Sequence, residues 1–292
     1  MKDISVLIPT YNHVCVTLVR QLVRLLQMCS TDYEVIVADD GSTDTKTVKA
    51  NSPIATLPHC QYLIRTENTG RSAIRNFLVQ RARYNWVLFI DSDMTILSDE
   101  LITRYLLDDT YPVVDGGVSI GGDAETLKGN LRYRYEKAEE SRHTAVLRQR
   151  SPYQHLHTAN LLVRRDIMLQ YPFDERFRHY GYEDVLLGKT LHRHHVPIQH
   201  LDNPVGFCTF ETNADFVAKT EEGLRTLHTF CNDLRGYSRL LTFVSGIHLP
   251  IILLLIRLWH KTFKKLERKN LCGSRPSLFI FRLYRLGYYL TL

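Results

Sequence analysis

The chain has 292 residues, of which 44% are hydrophobic and 23% are charged, with 15 glycines and 10 prolines. This balance excludes disordered, collagen-like and low-complexity proteins and predicts a folded body with a sizeable core. The formal net charge is +6, but residues 257–292 hold nine basic side chains and one acid, a net +8, which leaves −2 for residues 1–256. A nearly neutral body argues against a nucleic-acid groove, so no nucleic acid is expected as a partner, and the cationic tail points to an anionic partner of its own.

Cysteine usage and the N-terminus predict a reducing compartment. The six cysteines, at positions 15, 29, 60, 208, 231 and 272, show none of the close spacings of zinc sites or redox motifs. The N-terminus begins with a strand-like run and lacks the pattern of a signal peptide. We therefore expect a cytoplasmic protein.

Short apolar runs alternate with helical patterns in the first third of the chain. The runs are at residues 4–8, 35–38, 62–64 and 86–90, with helical spacing at 16–26 and 71–83. This alternation predicts a parallel sheet with helices on both faces. In the second half we expect helices at 131–146, 183–194 and 215–235 and strands at 160–163 and 197–201.

Polar residues follow each of the four early strands. Residues 10–12 follow the first strand, 39–42 the second, Arg65 the third and 91–93 the fourth. In open α/β sheets, ligands bind beyond the carboxyl ends of the strands. Four polar strand ends therefore predict a common site.

Asp91-Ser92-Asp93 presents two carboxylates at the end of a buried strand. Oxygen ligands of this kind suit a hard divalent ion that also takes diphosphate oxygens. Most isolated Asp-x-Asp tripeptides are solvated turns, but this position favours a site for Mn²⁺ or Mg²⁺.

Residues 39–44, Asp-Asp-Gly-Ser-Thr-Asp, have a similar position after the second strand. A carboxylate here could accept hydrogen bonds from a uracil N–H or a ribose hydroxyl, and a tight capped turn is the alternative, although both can hold. Arg71 and Arg75 follow Asn68-Thr69-Gly70 and would place cations near a nucleotide diphosphate. The chain has no Gly-x-Gly-x-x-Gly and no phosphate-cradling P-loop.

Two adjacent acids, Glu183 and Asp184, open a predicted helix directly after Tyr180-Gly181-Tyr182. Acids at a helix N-terminus are favoured by the backbone dipole and need no function. Glycine and aromatic residues beside a carboxylate, however, are typical of a sugar-sized pocket.

Together these motifs resemble the inverting family-2 glycosyltransferases of the GT-A fold, from Ile4 to about Gly206. The resemblance also rests on Asn160 and on residues 173–177, and the second half looks like the acceptor-side segment of galactosyltransferases and chondroitin-polymerising enzymes. It implies an α/β, Rossmann-like fold with a mostly parallel central sheet flanked by helices, and a C-terminal helical basic tail. The expected division is a catalytic domain at 1–240 and a membrane-associating or docking segment at 241–292.

The resemblance implies inverting, metal-dependent transfer of a hexosyl or N-acetylhexosaminyl group. The donor would be a nucleotide sugar, specifically a UDP-sugar, and the acceptor a hydroxyl of a glycan or lipid-linked molecule in polysaccharide or glycoconjugate synthesis. Asp184 would be the base with Glu183 beside it, and Asp93 and Asp91 would hold the metal. Acceptor-side residues would be Asn160, Tyr180, Gly181 and Tyr182. Donor-binding residues would be Pro9, Thr10, Tyr11, Asn12, Asp39, Asp40, Ser42, Gly70, Arg71, Arg75, Asp91 and Ser92.

One position departs from the family pattern. Members of this fold often supply a histidine to the metal from the segment after the acid pair, and this chain has Phe207 at that place. His200 is nearby but falls within a strand-like run, where a core or surface histidine is the expected reading.

The apolar run at residues 243–256 is shorter than the ~20 residues that a bilayer span needs. It also contains interrupting residues, namely Ser245, Gly246, His248 and Pro250. The basic and aromatic residues that follow are typical of a segment that lies in a membrane interface, and a helix docked on the body is the alternative. A membrane surface is thus a candidate partner for residues 243–292, which would place the protein at the inner face of the cell membrane.

Two other functions stay open. One is a non-catalytic sugar-binding or membrane-scaffolding domain of the same fold. The other is a nucleotidyltransferase, which would show a glycine-rich basic loop after the first strand, where this chain has residues 9–12, Pro-Thr-Tyr-Asn.

Overall fold

The early strands form the parallel half of a central sheet in the computed structural model, which describes residues 2–107, 110–247 and 249–292. These strands are β1 Ile4–Thr10, β2 Tyr33–Asp39, β3 Cys60–Ile64 and β4 Trp86–Ile90. The later strands are β5 Met94–Thr95, β6 Val113–Asp115, β7 Val118–Ile120, β8 Asn160–Arg164, β9 Ile198–His200 and β10 Val205–Phe207.

Among the described residues, seven strands pair in the order β3-β2-β1-β4-β8-β6-β9. The strands of this sheet share one direction except β8, which runs antiparallel to both β4 and β6. A smaller sheet has the order β5-β10-β7. The expected mixed α/β architecture with a mostly parallel sheet is therefore confirmed.

Helices cover both faces of the sheet and form the C-terminal part of the chain. They are α1 Val16–Met28, α2 Thr45–Asn51, α3 Arg71–Arg81, α4 Leu101–Leu106, α5 Leu131–Glu140, α6 Ala145–Gln149, α7 Arg165–Gln170, α8 Glu183–Arg193, α9 Asn213–Thr229, α10 Arg239–Ser245, α11 Pro250–Leu271 and α12 Leu278–Thr291. Short 3₁₀ turns lie at Ser52–Thr56 and Pro152–Gln154.

Strand β1 shows why the sheet is buried on both faces. Val6 and Ile8 pack into one apolar cluster with Leu22 of α1, whereas Leu7 packs into another with Leu78 of α3. Successive strand side chains point to opposite faces, so a continuous apolar run needs a helix layer on each side. Full burial of a leucine such as Leu22 stabilises the fold by roughly 2 kcal/mol.

Three predicted elements have different limits in the structure. Strand β1 continues through Pro9 to Thr10, because it stays paired with β2 over these residues. Its pairing with β4 ends at Leu7, so β4 has no need of the N–H that Pro9 lacks. The helix predicted at 131–146 ends at Glu140, and a new helix follows Thr144, whose side chain caps it. The helix predicted at 215–235 is α9, which starts after the cap residue Thr212 and ends at Thr229.

The C-terminal helices share an apolar cluster with the body. Leu271 of α11 and Phe281 of α12 pack with Leu224 and Leu227 of α9. Tyr284 of α12 donates a hydrogen bond to Glu221 of α9, which also pairs with an arginine of α11. The division at 240/241 stays a prediction, and the second half of α11 together with α12 is a docked element.

None of the helices within the described residues combines the length and the apolar character that a membrane crossing requires. His248, which interrupts the apolar run, lies outside the described residues.

Candidate active site

A cleft of about 470 Å³ lies at the carboxyl ends of the parallel strands. The register pairs Thr10 with Asp39, so the polar ends of β1 and β2 lie side by side. The cleft brings together most of the residues predicted for the donor and the metal: Pro9, Thr10, Tyr11, Asn12, Asp40, Gly70, Arg71, Arg75, Asp91, Ser92 and Asp93. It also contains Asn68 of the Asn-Thr-Gly motif, and residues that the motifs did not indicate, including His13, Arg178, His179, Lys219 and Glu222.

Asn12 and Ser42 join the loops after β1 and β2. The backbone N–H of Asn12 donates to Ser42 Oγ at 2.7 Å, and Asn12 Oδ1 accepts the N–H of Asp44 at 2.9 Å. Asn12 has a φ of 49°, a left-handed conformation in which asparagine is enriched. These two predicted residues therefore shape the cleft wall through bonds to each other's loops.

Asp39 and Asp40 hold the loops of the cleft. Asp39 is fully buried and accepts hydrogen bonds from Ser42 N and the Tyr62 hydroxyl at 2.7 and 2.9 Å. Asp40 accepts from the backbone N–H of Gly70 at 2.9 Å and lines the cleft. Of the two candidates for a nucleotide contact, Asp40 is thus the one at the cleft surface.

Gly70 and Arg71 begin α3 beside the cleft. Gly70 has a φ of +92°, and a Cβ there would lie 2.7 Å from the carbonyl oxygen of Arg178, so this approach requires glycine. The side chain of Arg71 is 44% exposed, and its guanidinium lies 4.8 Å from the ring centre of Tyr180. Arg71 is therefore accessible to an anionic ligand.

Arg75 has partners that its sequence position did not reveal. Its side chain is 2% exposed and lies 2.7 Å from Asp91 and 3.3 Å from Glu183. A buried guanidinium between two carboxylates links the Asp-Ser-Asp motif to the acid pair of α8. Although Arg75 borders the cleft, this pairing makes Arg71 the better placed cation for a nucleotide.

The two aspartates of the Asp-Ser-Asp motif have opposite electrostatic environments. Burial would raise the pKa of Asp91, but the guanidinium groups of Arg75 and Arg71 outweigh it and hold this pKa below its usual value. Burial and the negative charge of Asp91 raise the pKa of Asp93. Asp93 is therefore the carboxylate that a bound cation would stabilise most.

The residues around Asp93 fit a cation shared with a ligand. Within residues 2–107, 110–247 and 249–292, no group of three or more His, Cys, Asp or Glu side chains is arranged to hold a metal ion. Mg²⁺ and ions of similar preference are usually bound through one or two carboxylates plus substrate phosphates and water, which Asp93 with Asp91 behind it can supply.

Phe207 occupies the position where the family pattern predicts a histidine ligand. It pairs with Met94, directly after the Asp-Ser-Asp motif, and the guanidinium of Arg132 lies 4.2 Å from its ring centre. His200 is buried, with Nε2 2.9 Å from the Pro152 carbonyl and Nδ1 accepting from Arg148. The interpretation of His200 as a core histidine agrees with this position.

A second cavity of about 240 Å³ adjoins the cleft. Both cavities are lined by Arg71, Asp91, Asp93, Tyr180 and Lys219. The second one adds residues of α5, α8 and the segment before β8, namely Arg132, Glu136, His157 and Asp184. A ligand in the cleft would therefore meet a second ligand beside Asp184.

Asp184, the second acid of the pair, lines this cavity. Burial and the charge of neighbouring Glu183 raise the pKa of Asp184 to about 6, while the charge of His157 opposes the shift. Glu183 is 5% exposed and pairs with Arg75. A carboxyl with a pKa near 6 is suited to accept a proton near neutral pH.

His157 is a site residue that no sequence motif indicated. Its backbone N–H donates to the fully buried Asp115 at 2.9 Å, and its Nδ1 lies 3.6 Å from the same carboxylate. Burial lowers the pKa of His157, but the bond and charge of Asp115 outweigh burial and raise it. His157 thus brings positive charge to the cavity of Asp184.

Arg132 and Lys219 were also missed by the motifs. Arg132 pairs with Glu211 at 2.7 Å, and Lys219 lies 3.4 Å from the same residue. Arg132 lies on α5 and Lys219 on α9. The local sequence signal for Arg132 is its four-residue spacing from Glu136, which places the two side chains on one helix face, 3.9 Å apart.

Asn160 does not reach either cavity. Because β8 is antiparallel, this first residue of β8 pairs with Ile90 at the end of β4, yet its side chain is fully buried. Its amide nitrogen donates to the Gly117 and Asn203 carbonyls, and its oxygen accepts from the Tyr105 hydroxyl. Asn160 therefore supports the site from within the core, which corrects its expected placement beside an acceptor.

The remaining predicted acceptor-side residues do line cavities. Tyr180 borders both cavities, and Gly181 and Tyr182 border a third space next to Asp184. Gly181 and Tyr182 have φ angles of 93° and 71°, and Tyr182 is the N-cap residue of α8. This left-handed turn positions the acid pair at the start of the helix.

Comparisons with known proteins identify relatives of this chain. The family model described as "Glycosyl transferase family 2" matches residues 5–171. An uncharacterized glycosyltransferase of Haemophilus influenzae is 32% identical over 101 residues, 35% of this chain and 40% of the relative. The chondroitin synthase of Pasteurella multocida is 25% identical over 225 residues, 64% of this chain and 23% of that enzyme. The matches span less than half the length of both relatives.

Solved structures share the fold across nearly the whole chain. The mannosyltransferase PcManGT from Pyrobaculum calidifontis, in complex with GDP-Man and Mn²⁺, has a TM-score of 0.55 at 14% identity, covering 99% of this chain and 84% of its own. S. aureus TarS 1–349 in complex with UDP has a TM-score of 0.52 at 19% identity, covering 100% of this chain and 90% of its own. These similarities confirm the expected GT-A fold.

Proposed function

The chain belongs to glycosyl transferase family 2, and we propose that it transfers a sugar from a UDP-sugar to a hydroxyl group of a glycan or lipid-linked acceptor with inversion at the anomeric carbon. The observation that carries this proposal is the position of Asp184. A carboxyl with a pKa raised to about 6 lies in a cavity that adjoins the strand-end cleft.

Asp184 acts as the general base in this proposal. It takes the proton from an acceptor hydroxyl as that oxygen attacks the anomeric carbon from the face opposite the leaving diphosphate. One displacement forms the new glycosidic bond, breaks the bond to the diphosphate and inverts the configuration. Glu183 pairs with Arg75, and its negative charge raises the pKa of Asp184.

The donor lies in the strand-end cleft in this proposal. Tyr11 and Asp40 border the cleft where the nucleoside would bind, and Arg71 and Lys219 face the position of the diphosphate. The complex of TarS 1–349 with UDP supports the choice of nucleotide, and that of PcManGT with GDP-Man makes a guanosine donor the alternative.

Asp93 would hold a Mn²⁺ or Mg²⁺ ion together with Asp91, which pairs with Arg75. When bound, the ion would act as a Lewis acid that stabilises charge on the departing diphosphate. Arg71 and Lys219 contribute further positive charge there, and electrostatic stabilisation of this kind is usually a large part of catalysis. The complex of PcManGT with Mn²⁺ supports the choice of metal.

The acceptor is a glycan or a lipid-linked saccharide of polysaccharide or glycoconjugate synthesis, and the chondroitin synthase among the relatives supports this class. A lipid-linked acceptor is met at a membrane surface. The net charge of +8 in residues 257–292 favours an anionic one, such as the inner face of the cell membrane.

Calorimetric titration of UDP into the protein, with and without Mn²⁺ and with GDP as a competitor, tests the donor class. Binding of UDP that is tightened by Mn²⁺ is the expected result, and UDP-sugars are then screened for transfer, with the anomeric configuration of the product read by NMR. A preference for GDP would instead identify a GDP-sugar as the donor. If neither nucleotide binds, the protein is a non-catalytic domain of the same fold.

A further inference from the structure

The first half of α11 turns its apolar side chains toward solvent. Six large apolar residues between 41% and 58% exposed lie here: Ile251, Ile252, Leu254, Leu255, Leu258 and Trp259. Their spacing of three and four residues places them on one continuous face of the helix, which we call the outer apolar face. A helix of a soluble body normally turns such a face inward.

The second half of α11 behaves in the opposite way. His260, Glu267 and Leu271 are buried against α12 and the body. His260 Nδ1 lies 2.7 Å from Glu267, and its ring is 5.0 Å from that of Tyr284 of α12. No residue from 250 to 259, all within the described chain, is buried. The helix is thus anchored at one end and presents the outer apolar face at the other.

Positive charge flanks the outer apolar face. Arg257, Lys261, Lys264 and Lys265 are exposed. Residues 243–266 contain no Asp or Glu. An exposed apolar face with a tryptophan, lysines beside it and no acids complements a surface that is apolar below and anionic above.

We propose that the outer apolar face of α11 lies in the plane of an anionic lipid surface and holds the glycosyltransferase there. The apolar side chains enter the boundary between headgroups and acyl chains, and Lys261 and Lys265 contact the anionic headgroups. The docked half of α11 and α12 fix the body relative to this surface. Attachment to the surface would bring the active site to a membrane-borne acceptor, and this purpose rests on the proposed function.

The test is co-sedimentation of the full chain with phosphatidylcholine vesicles, either pure or mixed with phosphatidylglycerol. The wild type is expected to bind the mixed vesicles, with a blue shift of Trp259 emission that the variant Trp259→Phe lacks. The double variant Leu255→Ser/Leu258→Ser should bind the vesicles at least about tenfold more weakly than the wild type, because it removes apolar area from the centre of the face. Its two sites are exposed, so its melting temperature should equal that of the wild type.

Two further variants separate the causes. Leu169→Ser makes the same chemical change at an exposed leucine of α7 and should leave vesicle binding unchanged. Lys261→Gln/Lys265→Gln should weaken binding to the mixed vesicles, and added salt should reproduce this loss in the wild type.

Absence of binding by the wild type, or equal binding by the Leu255/Leu258 double variant, would overturn the proposal. So would a dimer in sedimentation velocity that this variant dissociates without any vesicle binding, because a second copy would then cover the face. UDP titration of the same samples keeps the two proposals separate. Vesicle binding without UDP binding contradicts the proposed function alone, and UDP binding without vesicle binding contradicts this proposal alone.

Discussion

Arg75 of α3 donates a hydrogen bond of 2.7 Å to Asp91 at the end of β4. The same guanidinium lies 3.3 Å from Glu183, so one cation with a side chain 2% exposed connects the Asp-Ser-Asp motif with the acid pair of α8. Removal of one partner from such a buried group leaves uncompensated charge in a poorly solvated place. This arrangement explains how the site can hold several carboxylates close together.

Arg75→Met should therefore destabilise the fold strongly. We expect a loss of about 3 kcal/mol in the free energy of unfolding, because the buried Glu183 and the partly buried Asp91 lose their counter-charge. Urea denaturation measures it. Arg71→Met, at a side chain 44% exposed, is the matched control and should cost less than about 1 kcal/mol. Equal losses in the two variants would contradict the linking role of Arg75.

Asp184→Asn should retain UDP binding and lose sugar transfer by a factor of about 10² to 10⁴, the usual contribution of a general base. Calorimetry and a product assay measure the two quantities. Asp174→Asn, at an acid that pairs with Arg176 at 2.6 Å outside both cavities, serves as the control and should transfer normally. An undiminished rate in Asp184→Asn would remove this residue from the base role.

The pH dependence of transfer should follow the raised pKa of Asp184. Because burial and the charge of Glu183 raise this pKa to about 6, the base is protonated and inactive below it, and kcat/KM should rise with pH through that value. A pH–rate profile measures the midpoint. A midpoint near 4, the ordinary value of a carboxyl, would show that Asp184 is not the group that limits the rate.

Stability should change with pH in the opposite sense at the same residue. The folded protein binds the Asp184 proton more tightly than the unfolded chain, so the contribution of this group is fully present below the unfolded pKa and is lost as the pH rises through about 6. Asp184→Asn should therefore be more stable than the wild type above that pH, with a gain that shrinks at lower pH. Urea denaturation across this range is the measurement, and a gain that does not vary with pH would argue against the shift.

His157→Gln should raise the midpoint of the pH–rate profile. Asp115 raises the pKa of His157, and the positive charge of His157 lowers the pKa of Asp184. Without that charge, burial and Glu183 should raise the pKa of Asp184 further. His228→Gln changes an exposed histidine of α9 and should leave the midpoint unchanged. If both variants keep the wild-type midpoint, His157 acts through packing alone.

Asp93→Ala should abolish the tightening of UDP binding by Mn²⁺. Burial and the charge of Asp91 disfavour the ionised form of Asp93, so a cation shared with the diphosphate would stabilise this carboxylate more than Asp91. Calorimetry with and without Mn²⁺ gives the difference. Asp99→Ala, at an exposed acid that pairs with Arg24, is the control. Persistence of the full metal effect in Asp93→Ala would exclude this carboxylate as the ligand.

Much of the architecture was readable in local patterns. The apolar run of residues 86–90 became β4 with the same limits, and the acids Glu183 and Asp184 open α8 as expected. Since parallel neighbouring strands end at one edge, the polar residues after β1, β2 and β4 had to meet in one cleft. Hydrophobic periodicity depends on residues close in sequence, and the strand order follows a common topology. Both can therefore be inferred from the sequence.

The sequence by itself determined the fold class, the strand-end motifs and the residue types that suit a nucleotide, a cation and a base. The tertiary structure alone decided which of them face the site. Asn160 lies in the core at the start of the antiparallel strand β8. Arg75 forms an ion pair with Asp91, and Lys219 of α9 lines the cleft. Burial and charge act through space between residues far apart in the chain, so no local pattern carries them.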